Sequence, residues 1–219
     1  MAATKRGVIA ITIKTTGEGI ADTIVAIGIA TCNIEIPSEI HSFNVCLDLK
    51  KKDDQSLKSF WTENFFDQGY FERYWQHRTE LFDYLQTSSK EVNLTGPNKQ
   101  ALAWTFNQIL KESEEKYDET IVVVDDALSQ LHQLSKLLLD GKHKYAGIEY
   151  TRAGECRTII DLDSYVAGIS GGKDLFEWED VEAFTKENLM PSSDQLKQHP
   201  ENDATESLKI FLSAYQYKK

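Results

Sequence analysis

Three apolar segments of strand length follow one another near the start of the chain, and their order constrains the fold more than any other feature. The first runs from Val8 to Ile13, the second from Thr23 to Thr31, and the third, an alternating segment, from Ile40 to Leu47. The turn sequence Gly17-Glu18-Gly19 separates the first two. Short apolar runs bounded by turn residues are typical of strands. We therefore predict a three-stranded meander.

The pattern becomes helical after the polar run from Lys50 to Ser59. Residues 71–85 place apolar side chains on one helical face, and a second helix is predicted from Asn98 to Lys116. The β-branched run from Ile121 to Val124 then leads directly into leucines at helical spacing, namely Leu128, Leu131, Leu134 and Leu138. A strand that leads straight into a helix indicates a buried parallel strand and its crossover helix.

One more strand and three helices are predicted beyond these leucines. The strand lies at Tyr145 to Tyr150 or at Arg157 to Ile160, and helices lie near Asp161 to Gly168 and Trp178 to Asn188. The final predicted element is an amphipathic helix through Ala204, Leu208, Phe211, Leu212 and Tyr215. The order predicts a single α/β domain over residues 1–219. Its mixed five-stranded sheet combines an antiparallel meander of three strands with parallel strands, and helices flank it.

The charge of the chain bears on which partners it can bind. Lys and Arg number 24 and Asp and Glu number 35, so the formal net charge is −11. General affinity for nucleic acid depends on Lys and Arg, which release the counterions condensed on the phosphates. The acidic balance therefore disfavours a general nucleic-acid binder.

The cysteines and the apolar segments indicate a soluble intracellular protein. Cys32, Cys46 and Cys156 are odd in number and far apart, with no zinc-binding spacing, as expected for thiols in a reducing compartment. No segment approaches the roughly 18–20 apolar residues that a membrane span requires. The chain start lacks the features of a cleaved signal peptide.

Several segments resemble, in order, the motifs of one enzyme family. Segments 9–17 (IAITIKTTG) and 22–29 (DTIVAIGI) resemble an apolar strand carrying Asp-x-Glu, followed by Thr-Gly and a second strand. Segment 122–134 (VVVDDALSQLHQL) resembles a strand that precedes Phe/Tyr-Asp and a helix, and segment 198–206 (QHPENDATE) resembles His-x-Pro-x-x-Asp-Ala. Two further segments resemble the intervening parts: 71–86 and 157–168. The family is the DEDD (DnaQ-like) superfamily of 3′–5′ exonucleases, particularly its phage and large-DNA-virus members, which implies a ribonuclease-H-like fold.

The resemblance also implies which residues stand at the family's catalytic positions. The family hydrolyses phosphodiesters with two divalent cations held by four carboxylates, and a His in many members acts as the base. The four carboxylate positions fall on Thr12, Lys14, Gln130 and Asp203, and the base falls on Gln198. Only Asp203 keeps its chemical type, and Lys14 has the opposite charge. The cofactor prediction is accordingly none, because losing three of four negative charges removes most of the attraction for magnesium.

A positive prediction follows from the change at Lys14. If Lys14 and Asp203 stand at neighbouring family positions, their side chains lie side by side and form an ion pair where the metal would be held. Such a pair balances charge without a metal, and its partial burial would make the loss of one partner costly.

Other acidic residues allow a different interpretation. Asp125 and Asp126 follow a predicted strand and, with Asp203, offer a rebuilt metal site, to which Asp22 and Glu206 could contribute. The interpretation that we prefer is a strand end and a helix N-cap, because an acidic residue suits the start of the following helix. The pair Asp161 and Asp163 is likewise predicted to cap a helix rather than to form a catalytic pair. His199 becomes a base only if the alignment shifts by one residue, which Pro200 disfavours.

These residues lead to one preferred function and two alternatives. The preferred function is a catalytically inactive exonuclease-like domain that acts through a protein partner or a homo-oligomer, in the host cell or the virion of a large DNA virus. The first alternative is an active 3′–5′ exonuclease with a rebuilt magnesium or manganese site. The second is nucleic-acid binding without cleavage, which the acidic charge disfavours. No interaction with a membrane is expected.

Overall fold

A computed structural model of the chain describes residues 5–15, 24–46, 108, 111–112, 115–125, 127–140, 157–169, 185, 187 and 200–217. Five strands and three helices have bounds within these ranges, and a few further helical residues lie outside those elements. The strands are β1 (Arg6–Thr15), β2 (Ile24–Asn33), β3 (Ile36–Cys46), β4 (Glu119–Val124) and β5 (Arg157–Asp161). The helices are α1 (Ala127–Asp140), α2 (Leu162–Ile169) and α3 (Pro200–Tyr217). None of the helices in these ranges has the length and apolar character of a membrane span.

The five strands form one mixed sheet in the order β3-β2-β1-β4-β5. β2 pairs antiparallel with both β1 and β3, whereas β4 pairs parallel with both β1 and β5. Parallel neighbours need a crossover, and the helix α1 supplies one after β4. The predicted mixed five-stranded α/β sheet is therefore confirmed.

Some predicted boundaries differ from those in the structure. The last strand lies at Arg157–Asp161, the second of the two candidate segments, and 145–150 lies outside the described residues. β3 begins four residues earlier than Ile40, at Ile36, because its pairing with β2 continues to Asn33 opposite Ile36, beyond the alternating run. The predicted helix at 71–85 also lies outside the described residues, while residues 108, 111–112, 115–116, 185 and 187 are helical as predicted.

The sheet packs helices on both faces, and each face has its own apolar cluster. On the first, called the α1 face, Ile9 and Ile11 of β1 pack with Leu131 and Leu134 of α1. On the opposite one, called the α3 face, the alternate residues of the strands pack against α2 and α3. The main α3-face contacts are Val8, Ala10, Ala30, Cys32, Val123, Leu208 and Phe211. Because side chains alternate along a strand, β1 separates its residues cleanly between the two layers.

One carboxylate, Asp161 at the end of β5, holds the starts of two helices. Its Oδ2 accepts a hydrogen bond from the Ala127 N–H at 2.8 Å, and its Oδ1 accepts one from the Ser164 N–H at 2.9 Å. The predicted cap of the helix that begins at Leu162 is thus confirmed, and the cap also serves α1. Although burial raises the pKa of Asp161, the hydrogen bonds from Ala127 and Ser164 outweigh it and hold that pKa below its usual value.

We expect Asp161→Ala to lower the free energy of unfolding by about 2 kcal/mol, because each lost N-cap bond typically costs about 1 kcal/mol. Asp161→Asn should cost about half as much, since its single carbonyl oxygen replaces only one of the two acceptors. Urea unfolding at neutral pH measures both losses. Equal losses for the two variants would contradict the double cap.

Candidate functional site

Two of the predicted site residues lie on β1 and point to the α3 face. Thr12 and Lys14 share the alternation of Val8 and Ala10, whose side chains pack against α2 and α3. Thr12 is buried and Lys14 is largely buried. The sheet therefore presents both residues to the helix that carries Asp203.

The start of α3 lies directly on the sheet over Gly28 of β2. Gly28 is opposite Thr12 in the β1–β2 pair, and a Cβ added at Gly28 would be 1.8 Å from the Pro200 carbonyl oxygen. The backbone of α3 can approach the sheet this closely only where a side chain is missing. Pro200 is the first residue of α3, where its missing N–H costs nothing. The contact with Gly28 thus fixes the height of the first turn, which includes Asp203.

Lys14 and Asp203 form an ion pair. Lys14 Nζ lies 2.6 Å from Asp203 Oδ2, and the two side chains are only 14% and 21% exposed. The residues are 189 positions apart in the chain. The ion pair predicted from the sequence is confirmed.

A second carboxylate, Asp125, lies beside this pair at the end of β4. Its Oδ2 accepts a hydrogen bond from Ser207 Oγ at 2.9 Å, and Ser207 lies one helical turn after Asp203 in α3. Burial raises the pKa of Asp125 to about 6; the bond from Ser207 lowers it, the charges of Asp163 and Asp203 raise it, and Lys14 lowers it. We call Lys14, Asp125, Asp163 and Asp203 the Lys14 cluster.

Asp125 directly follows the end of β4, in agreement with the predicted strand end. The Ala127 N–H at the start of α1 bonds to Asp161, and Asp125 bonds to Ser207. The carboxylate of Asp125 therefore points toward α3 rather than along α1. Asp126, the other half of the predicted cap and of the rebuilt metal site, lies outside the described residues.

Thr12 and Asn44 contribute buried polar atoms beneath α3. Thr12 and Asn44 lie opposite Gly28 on its two sides, in β1 and β3, so all three share one row of the α3 face. Thr12 Oγ1 and both amide atoms of Asn44 are buried, without a hydrogen-bond partner in the described part of the chain. Unpaired buried polar atoms are uncommon in folded proteins. Asn44 was not predicted from the sequence as a site residue. Its position opposite Gly28 becomes visible only when the pairing of β2 with β3 is known.

No described contact joins the other predicted site residues to the Lys14 cluster. Gln130 lies in the first turn of α1, whose Leu131 and Leu134 pack on the α1 face, and its Oε1 is buried without a partner among the described residues. Glu206 is exposed on α3. Gln198, His199 and Asp22 lie outside the described residues. Ser207 and Asp163 were not predicted as site residues. The one indication in the sequence is that Ser207 follows Asp203 by four residues, which puts both on the same face of a helix.

The Lys14 cluster does not fit a divalent metal. An ammonium group stands against Asp203 Oδ2, and Asp125 Oδ2 is occupied by the hydrogen bond from Ser207. Within the described ranges, no group of three or more His, Cys, Asp or Glu has the geometry to hold a metal ion. A fixed positive charge at this distance repels a second cation, and the hard cations need several free oxygens close together.

Solved structures with a similar fold include exonucleases. A crystal structure of exonuclease I in complex with an inhibitor superimposes with a TM-score of 0.54 at 10% identity, over 99% of this chain and 44% of that one. A full-length 3′-exonuclease gives 0.55 at 14% identity, over 98% and 83% of the two chains. A structure of the yeast NOT1 MIF4G domain co-crystallized with CAF1 gives 0.55 at 11% identity, over 97% and 79%. The predicted ribonuclease-H-like fold is confirmed.

These comparisons establish the fold and leave activity open. The chain spans less than half the length of the exonuclease I chain, 44% of it. No protein-family model matches the sequence, and no curated protein matches it.

Proposed function

We propose that this chain is an exonuclease-like domain that does not cleave nucleic acid by the family's metal-dependent route, and that acts by binding a protein partner or a second copy of itself. The observation that carries the proposal is the ion pair between Lys14 and Asp203. It places an ammonium group against the one carboxylate that the resemblance retains. The likeness in fold to exonuclease I and to a 3′-exonuclease supports the exonuclease-like part.

The argument against cleavage is electrostatic. The family's two-metal route needs negative charge concentrated where the attacking and leaving oxygens meet. Here Thr12 supplies a neutral hydroxyl, the charge of Lys14 cancels that of Asp203, and Asp125 Oδ2 already accepts the hydrogen bond from Ser207. Because the pair is largely buried, the ammonium is screened less by solvent than a surface lysine would be. The ion pair of Lys14 with Asp203 still stabilises the domain, because it joins β1 to α3.

The proposed mode of action rests on the charge of the whole chain. A net charge of −11 repels a polyanion and favours a partner with a basic or neutral surface. The setting that the resemblance implies is an assembly in the host cell or the virion of a large DNA virus. Sedimentation velocity measurements distinguish a homo-oligomer from a monomer that awaits another protein.

We expect no metal-dependent shortening when the purified protein is incubated with end-labelled single-stranded DNA or RNA in magnesium or manganese. Asp203→Ala should behave as the unchanged chain does, since no catalysis depends on Asp203. A working 3′–5′ exonuclease run in parallel shows that the substrates are competent. Shortening that requires metal and disappears in Asp203→Ala would overturn the proposal in favour of a site rebuilt from Asp125, Asp126 and Asp203.

Binding without cleavage is tested on the same nucleic acids. The proposal expects no gel shift at low salt, where phosphate contacts are strongest. A shift that weakens steeply as salt increases would instead support a nucleic-acid binder.

A further inference from the structure

We propose that the Lys14 cluster is a cation site filled by the chain's own ammonium group, and that it accepts a small primary ammonium ion from solution once the Lys14 side chain is shortened. The inference rests on the proposed function, because both concern the same site. The inference adds the class of ligand that the other residues of the Lys14 cluster bind.

The charges of the Lys14 cluster favour an occupant that is positive. Asp125 directly follows β4, Asp163 lies in α2 and Asp203 in α3, and the charges of Asp163 and Asp203 both act on Asp125. Among the described residues, Lys14 is the one cation that influences Asp125. Carboxylates gathered in a partly buried place are stabilised by a cation, and without it they repel one another.

The contact that Lys14 makes indicates which kind of cation the site binds. The distance of 2.6 Å from Nζ to Asp203 Oδ2 is that of a short charge-assisted hydrogen bond. An ammonium has three N–H donors and no acceptor, so it suits a setting rich in oxygen atoms. Thr12 Oγ1 is a second acceptor on the same sheet face, buried and without a partner in the described ranges.

A primary ammonium fits this cluster better than a divalent metal. Ser207 already donates to Asp125 Oδ2, which leaves Asp203 as the carboxylate that receives the cation directly. One direct carboxylate suits a monovalent N–H donor, whereas magnesium needs near-octahedral coordination by oxygens. The ligand class is therefore a small primary ammonium such as methylammonium.

The test is chemical rescue of Lys14→Ala, followed by thermal unfolding. We expect the variant to have a lower Tm than the unchanged chain, and methylammonium chloride to raise its Tm by roughly 2–4 °C once the ion exceeds its dissociation constant severalfold. Tetramethylammonium chloride at the same concentration, which has no N–H donor, should not raise it. Lys111→Ala is the matched control, because Lys111 pairs with Glu115 at 3.8 Å on the exposed surface and leaves no enclosed site.

Three results would overturn the inference: no rescue by methylammonium, equal rescue by tetramethylammonium, or rescue that persists in Lys14→Ala/Asp203→Asn. If Lys14→Ala is recovered only as insoluble protein, the yield of soluble protein on refolding replaces the Tm, and equal yields in the two salts count against the site. The readout is stability, so a failure here is distinct from nuclease activity of the unchanged chain, which would overturn the proposed function instead.

Discussion

Gly28→Ala should destabilise the fold by about 3 kcal/mol or more, because the added methyl group meets backbone that no side-chain rotation can move. Its Cβ would lie 1.8 Å from the Pro200 carbonyl oxygen and 2.6 Å from the Glu201 nitrogen. The start of α3 must then lift from the sheet, which also separates Asp203 from Lys14. Urea unfolding measures the loss, and hydrogen exchange at the first turn of α3 locates it.

Gly168→Ala is the matched control for this prediction. Gly168 lies in α2, and an added Cβ there meets nothing within 4 Å. Alanine is favoured over glycine inside a helix by roughly 0.5–1 kcal/mol, so this variant should be neutral or slightly more stable. A similar loss in both variants would mean that the close approach of α3 to Gly28 does not hold.

Asp125→Asn should stabilise the protein above neutral pH, by up to about 3 kcal/mol. Burial raises the pKa of Asp125 from 3.8 to about 6, so the ionised form is disfavoured in the folded state. Because the pKa of Asp125 is higher in the folded state than in the unfolded state, the unchanged chain has its full stability only below about pH 4. Its free energy of unfolding falls between about pH 4 and 6 and stays at the lower value above that range. Asparagine removes the charge and keeps an oxygen that accepts the bond from Ser207 Oγ.

The measurement is the difference in unfolding free energy between Asp125→Asn and the unchanged chain from pH 4 to pH 8. The titration of carboxylates outside the Lys14 cluster cancels in this difference, because both proteins contain them. The difference should be near zero at pH 4 and should grow up to about pH 7. A difference that is constant over this range would contradict a raised pKa at Asp125.

Much of the fold was predictable because local patterns decide it. The apolar runs of β1, β2 and β4 and the leucines of α1 follow the periods of strand and helix, and the structure has those elements there. The ion pair of Lys14 with Asp203 was also predictable, because the resemblance places two distant segments at one site. The start of β3 at Ile36 was missed, since its polar residues take strand form by pairing with β2 rather than by their own pattern.

The partners of the acidic residues were less predictable. The sequence around Asp125 indicates a strand end before a helix, but not that Asp125 accepts a hydrogen bond from Ser207, which lies 82 positions away. Asp161 was predicted to cap α2 and does so, but its bond to Ala127 joins residues 34 positions apart. Which donor a carboxylate meets depends on how the helices cross the sheet, and no local period encodes that.

The sequence by itself determined the order of the described strands and helices, the α/β class, and the presence of Lys14 where the resemblance expects an acidic residue, because each depends on residue type and spacing along the chain. Only the tertiary structure decided that α3 rests on Gly28, that Asp125 joins the Lys14 cluster, and that Thr12 and Asn44 are buried in one row beneath α3. Those facts come from contacts between segments far apart in the chain, and they exist only once the sheet and α3 have packed together.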